Sequence, residues 1–235
     1  MLLPQAMVLL GIGRASDWGL TGWLVAIVAT ATLDVLVIHA LRQERTASLG
    51  PADIVTLTRA TLSCAVTALV ATSLRAGELI ESSPWTITII AVAGVSLFLD
   101  LVDGQVARAT DTASAFGARF DGEMDAFLML VLSAWVAPAV GWWVLTIGLA
   151  RYVFAAAGWV LPWLRAQLPP RYWRKVTTAA ASTILVVASA GVLPSPVIAG
   201  LLVVAVLLVV ESFGRDIWWL WRHRAAARAF RAVSP

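Results

Sequence analysis

DLVDGQVAR (100–108), eight further residues, then GARFDGEMD (117–125): this stretch decides how the chain is read. Asp100, Asp103, Asp121 and Asp125 lie here between long apolar runs. A carboxylate at the centre of a membrane helix costs roughly 2.5–3.5 kcal/mol on insertion scales, and less near an end, so four together require partners. A divalent cation is the natural one. Asp100 and Asp103 stand at i, i+3 and share a helix face; Asp121 and Asp125 stand at i, i+4 and share another. Asp111-Thr112-Ala113-Ser114 between them reads as a turn. If antiparallel helices flank that turn, Asp100 sits at the height of Asp125, and Asp103 at the height of Asp121. The four carboxylates then form a compact patch. All-oxygen ligation suits Mg²⁺, Mn²⁺ or Ca²⁺, and two metals held by shared carboxylates stabilise the attacking and leaving oxygens of a phosphoryl displacement.

Working outward, the rest of the chain is membrane-like. Of its 235 residues 60% are hydrophobic and 13% charged, well below the roughly 25% charged of soluble domains. The mean hydropathy is +0.85. Apolar runs of about 20 residues are read as spanning helices, so the expected class is an all-α integral membrane protein without strands. A net charge of +3 would suggest nucleic acid in a soluble chain. Here the basic residues gather at helix ends, which favours a membrane surface and no nucleic-acid partner. Cys64 is the single cysteine, has no partner for an intrachain disulfide and reads as a small buried residue.

In chain order, residues 2–13 are apolar but too short to span, and no signal peptide is expected there. Spans are expected at 18–41, 53–75, 84–105, 117–137 (stopping before Pro138), 141–163, 176–193 and 196–218. Asp34 lies inside the first and reads as reaching a neighbouring helix or the interface. Asp53 can cap the second, with Thr56 and Arg59 following at three-residue steps on one face. Glu123 points off the face of Asp121 and Asp125 and reads as a non-ligand. The tail WWLWRHRAAARAFR (218–231) mixes aromatics with arginines, as an interfacial helix does. Most of the 17 Lys and Arg fall on one side if 42–52, 106–120, 164–175 and the tail share it, which predicts a cytoplasmic site on the positive-inside rule. Most of the twelve Trp sit near span ends, as an interfacial belt does.

The pattern D-x2-D-G-x2-A-R-x8-G-x3-D-x3-D resembles the signature of the CDP-alcohol phosphotransferases, also called CDP-alcohol phosphatidyltransferases. Asp100, Asp103, Gly104, Ala107, Arg108, Gly117, Asp121 and Asp125 match every fixed position. The resemblance implies a six-helix membrane core plus one extra N-terminal spanning helix. Residues 1–49 would be that addition, 50–220 the phosphotransferase domain and 221–235 a basic cytoplasmic tail. It implies phospholipid synthesis in the cell membrane, with a phosphatidyl group passing from CDP-diacylglycerol to an alcohol and CMP leaving. A soluble donor such as CDP-choline, acting on diacylglycerol, remains the alternative.

By the same resemblance Asp100, Asp103, Asp121 and Asp125 hold two Mg²⁺ or Mn²⁺ ions, and Asp125 is the general base. Gly104, Ala107, Arg108, Ser114 and Gly117 would contact the CDP moiety. Asp53, Thr56 and Arg59 would join them, although Ala52-Asp53 stands where family members often carry Pro-Asn. The family often forms homodimers. A channel or transporter would not need G-x2-A-R at fixed spacing, and an inactive scaffold would not keep every motif residue. The acceptor alcohol stays open. Arg151, Arg171, Arg174 and Lys175 are candidates for a pocket that takes a phosphorylated acceptor, while the positive-inside rule explains the last three without a pocket.

Overall fold

The computed structural model describes residues 2–44, 51–80, 83–109, 115–166, 168–169 and 171–233; residues 2, 39–44, 51–54, 101–109, 115–116, 118–119 and 225–233 are described as backbone only. Eight α-helices follow one another among the described residues: α1 (Leu2–Ala15), α2 (Leu20–Glu44), α3 (Pro51–Ala76), α4 (Thr86–Ala109), α5 (Ala115–Val140), α6 (Leu145–Val160), α7 (Tyr172–Ser189) and α8 (Ser195–Val233). No strand occurs among them, as the apolar run lengths predict. In a bilayer every backbone polar group must be satisfied internally, and a helix does this within its own segment.

Five helices are long and apolar enough to cross a membrane, with windows at Leu20–Ile38, Val55–Ala76, Phe120–Val140, Trp142–Val160 and Ser195–Arg224. The two remaining expected spans also fall on helices, α4 and α7. In α4 the apolar stretch among the residues described with side chains is Thr86–Asp100, while the helix itself runs on to Ala109. α7 opens on Arg174 and Lys175, which dilute its first turn.

α3 is the central post. It packs against α1, α2, α4 and α5, while α5 also meets α6 and α7, and α8 packs on α6 and α7. Of the α3 window 67% is buried, against 22% for α2, which leaves α2 on the lipid-facing outside. Small and hydroxyl residues make this possible: Ala60, Thr61, Ser63, Cys64, Ala65 and Ala68 are all buried on α3. Without a hydrophobic force between helices in lipid, close backbone approach through small residues supplies the packing. The hydroxyls cost nothing there, because Thr61 donates to the Leu57 carbonyl at 2.9 Å and Ser63 to that of Arg59 at 3.0 Å. Trp135, Leu69, Ile89, Leu132, Ile147, Leu185 and Leu202 fill the common core. Gly148 brings α6 onto α5 so closely that a Cβ there would lie 2.3 Å from the Leu130 Cα.

Three helix boundaries differ from expectation. α5 does not stop before Pro138 but carries it in its last turn, and ends where Gly141 takes φ 126°. A proline that close to the end removes one hydrogen bond without breaking the turns that matter. α6 begins after a 3-10 turn at Trp142–Val144. The span expected at 196–218 and the interfacial helix expected in the tail form one unbroken helix, α8, which runs 39 residues to Val233. No Gly or Pro interrupts 217–233, and at 1.5 Å per residue it reaches about 58 Å, well beyond a hydrocarbon core of about 30 Å. α1, too short to span, packs on α3 and α2 and is pinned where Trp85 Nε1 donates to the Ser16 carbonyl at 2.6 Å.

Candidate active site

Three helices bring their charges to one point. α4 contributes Asp100, and α5 contributes Asp121 and Asp125. One carboxylate oxygen of each lies within 4.8 Å of the others. All three side chains stay partly solvent-reached, at 25%, 35% and 21% exposure. Asp100 lies close to both Asp121 and Asp125; the side chain of Asp103 is outside the described residues. The arrangement differs from a simple helix pair. Among the described residues α4 and α5 each pack along α3 more closely than along each other.

The residue between them is Arg59 of α3, whose side chain is 3% exposed. Its Nη1 contacts Asp121 Oδ1 and lies 2.9 Å from Asp100 Oδ1, while Nη2 donates to Asp125 Oδ1 at 2.5 Å. Its Nε donates to the Ser96 carbonyl of α4 at 3.2 Å. A guanidinium presents five donors in a rigid fork, so one side chain ties three helices and meets three carboxylates. Buried charges persist only when paired in this way. The sequence placed Arg59 near the site as a nucleotide contact and missed this bridge. A signal was present: an arginine inside an apolar span must find an anion, and the acidic motif is the largest supply.

Thr56, one turn before Arg59, is buried on the same helix, and Gly117 lies one turn before Asp121 on α5. Ser114 lies outside the described residues. Asp53, Asp103, Gly104, Ala107 and Arg108 are described as helical backbone, on α3 for Asp53 and on α4 for the others. Glu123 is turned away from the cluster as its helical angle predicts, and pairs with Arg151 Nη2 at 2.5 Å. Arg174 is held by Asp216, Nε to Oδ2 3.2 Å. Asp34 is half-buried on α2 and makes no ion pair among the described residues. Cys64 is buried and free.

Three partly hydrated carboxylates converging on one point make an all-oxygen donor set that fits a hard divalent cation, and Arg59 neutralises only one of the three charges. On the central helices of a helical membrane protein, such a cluster suits metal-assisted chemistry on phosphate groups. Comparison with family models makes this specific: the chain belongs to the CDP-alcohol phosphatidyltransferase family, whose model matches residues 49–213. The family transfers substituted phosphate groups in phospholipid synthesis, uses a CDP-alcohol and an alcohol acceptor, and is typically metal-dependent. Comparison with curated proteins and with solved structures gives no match.

Proposed function

We propose that the protein transfers a phosphatidyl group from CDP-diacylglycerol to an alcohol, releasing CMP, at the cytoplasmic face of the cell membrane. The observation that carries this is the convergence of Asp100, Asp121 and Asp125 from two helices of the matched region. Residues 50–220 form the catalytic membrane domain in this reading, 1–49 an addition and 221–235 a cytoplasmic tail. The gathering of basic residues at 42–52, 106–120, 164–175 and the tail supports the orientation.

Asp100, Asp103, Asp121 and Asp125 would hold two Mg²⁺ or Mn²⁺ ions. When bound, these neutralise the pyrophosphate of the donor and the charge that develops as CMP departs. The chain's own residues do the rest. Arg59 holds the three carboxylates at a fixed separation and adds positive charge beside the donor phosphates. Arg108 offers its fork to a phosphate. Gly104 admits the nucleotide close to the backbone, and Ala107 leaves room one turn on. Asp53, Thr56, Ser114 and Gly117 complete the CDP contacts.

Asp125 accepts the proton of the acceptor hydroxyl as the alcohol oxygen bonds to the β-phosphorus and the bond to the CMP oxygen breaks. A base within hydrogen-bond reach is what a weak nucleophile needs. Asp125 comes last in the motif, one turn beyond Asp121 and deeper in α5.

Radiolabelled CDP-diacylglycerol supplied to membranes with a panel of alcohols tests the reading. A labelled phosphodiester lipid and CMP are expected. Label transferred only from CDP-choline to diacylglycerol would replace this donor with a soluble one.

A further inference from the structure

On α5, between Asp121 and Asp125 in sequence but off their shared face, Glu123 forms an ion pair that the reaction above does not use. Arg151 of α6 places Nη2 2.5 Å from Glu123 Oε1. Its guanidinium lies over Gly122, where a Cβ would meet Nη2 at 3.7 Å and Nη1 at 3.8 Å. Gly122 and Asp125 stand at i, i+3 and share a helix face, so the pair borders the carboxylate proposed to accept the proton. Unlike Arg59, both partners are exposed, Arg151 by 40% and Glu123 by 52%. Charged side chains within spanning helices face the protein interior or an aqueous cavity rather than lipid. An exposed pair beside Asp125 therefore marks the side from which a water-borne alcohol reaches the site.

The charge balance of that side is selective. A phosphomonoester dianion needs guanidinium charge that is not already spent. Arg151 is spent on Glu123, whose own carboxylate repels an anion in a place already rich in carboxylates. Arg174 is likewise held by Asp216, and Arg215 by Glu211; Arg171 and Lys175 make no ion pair among the described residues, but they stand at the start of α7 and not on the α5 and α6 elements that carry this pair. The pair nevertheless keeps donors on Arg151 and acceptor lone pairs on Glu123 for hydroxyl, amino or carboxyl groups. We propose that Arg151 and Glu123 are the acceptor-selecting pair, and that they select a polar alcohol, neutral or zwitterionic, that carries no phosphate. This rests on the phosphatidyl-transfer reading.

The test uses the full chain in lipid nanodiscs with Mg²⁺ or Mn²⁺, following CMP release from CDP-diacylglycerol. Acceptors are glycerol, inositol and serine against glycerol 3-phosphate and inositol 1-phosphate. At least one unphosphorylated alcohol should exceed both phosphorylated ones in kcat/KM. Glu123→Gln should raise the ratio of phosphorylated to unphosphorylated kcat/KM by about tenfold or more, chiefly through acceptor KM. Glu123→Asp should keep the wild-type order of acceptors. Exchanging the charges (Glu123→Arg with Arg151→Glu) should recover the wild-type melting temperature without the wild-type acceptor KM.

A phosphorylated acceptor preferred by the wild type would overturn the proposal and leave phosphatidyl transfer standing. So would an unchanged ratio in folded Glu123→Gln, or selectivity restored by the exchange, which would make the pair a structural bridge. No CMP release with any acceptor would overturn the transfer reading and this proposal with it.

Discussion

Replacing Arg59 with methionine keeps the length of the side chain and removes its charge. The guanidinium is almost fully buried and contacts Asp100, Asp121 and Asp125 together. Removing one partner of a buried ion pair costs about 3–5 kcal/mol, because the other partner is left without its counter-charge. The three carboxylates here keep 21–35% of their exposure, so water relieves part of the loss and the lower end, about 3 kcal/mol, applies. For a chain of this size that lowers the melting temperature by about 6–12 °C.

The loss should depend on metal. An ion present at a hundred times its dissociation constant adds about 2.7 kcal/mol to the folded state, nearly the same amount. Arg59→Met should therefore melt well below wild type in EDTA and recover most of the difference in Mg²⁺ or Mn²⁺. Metal should stabilise the variant more than it stabilises wild type, since the arginine no longer shares the carboxylates. Thermal unfolding of both purified proteins in one detergent, with and without metal, measures this. Equal melting in EDTA to within about a degree would refute the bridging role. A variant that metal cannot rescue would refute the idea that the three carboxylates form one cation site.

Chelation should abolish turnover and Mg²⁺ or Mn²⁺ restore it, while Asp100→Ala and Asp121→Ala should each lose activity yet remain inserted; full turnover in a metal-free preparation would contradict this. Asp125→Asn should cut turnover severely while donor binding survives at least in part, as equilibrium binding measured beside CMP release would show. Loss of both together would instead make Asp125 mainly a metal ligand. Gly148→Ala should lower the melting temperature, because its Cβ would meet the Leu130 backbone at 2.3 Å and overpacking of this kind costs about 1–3 kcal/mol. A cysteine at Ala166 should react with impermeant reagents only from the cytoplasm, and one at Glu78 only from the opposite side.

Much of this was legible in the chain. Composition and run length determine an all-helical membrane class, because lipid leaves the backbone few alternatives. Motif spacing determines that Asp121 and Asp125 share a face and that Glu123 does not, because these are properties of a single helix. Helix ends were read less well. Pro138 inside α5 and the unbroken run of α8 past residue 218 show that a breaker near a terminus is tolerated, and that a helix without one continues.

What the one-dimensional pattern could not contain is which helix stands between the two halves of the motif. A heptad or an i, i+4 spacing describes one face of one segment. The meeting of Arg59 with carboxylates 41, 62 and 66 positions later depends on how α3, α4 and α5 pack around buried alanine, serine and threonine side chains. The pairing of Arg151 with Glu123 depends in turn on α6 approaching α5 at Gly148. The sequence alone determined a membrane phosphotransferase signature and its acidic face. Only the tertiary structure decided that a buried arginine holds that face together and that a second, exposed pair borders it, because both are contacts between helices far apart in the chain.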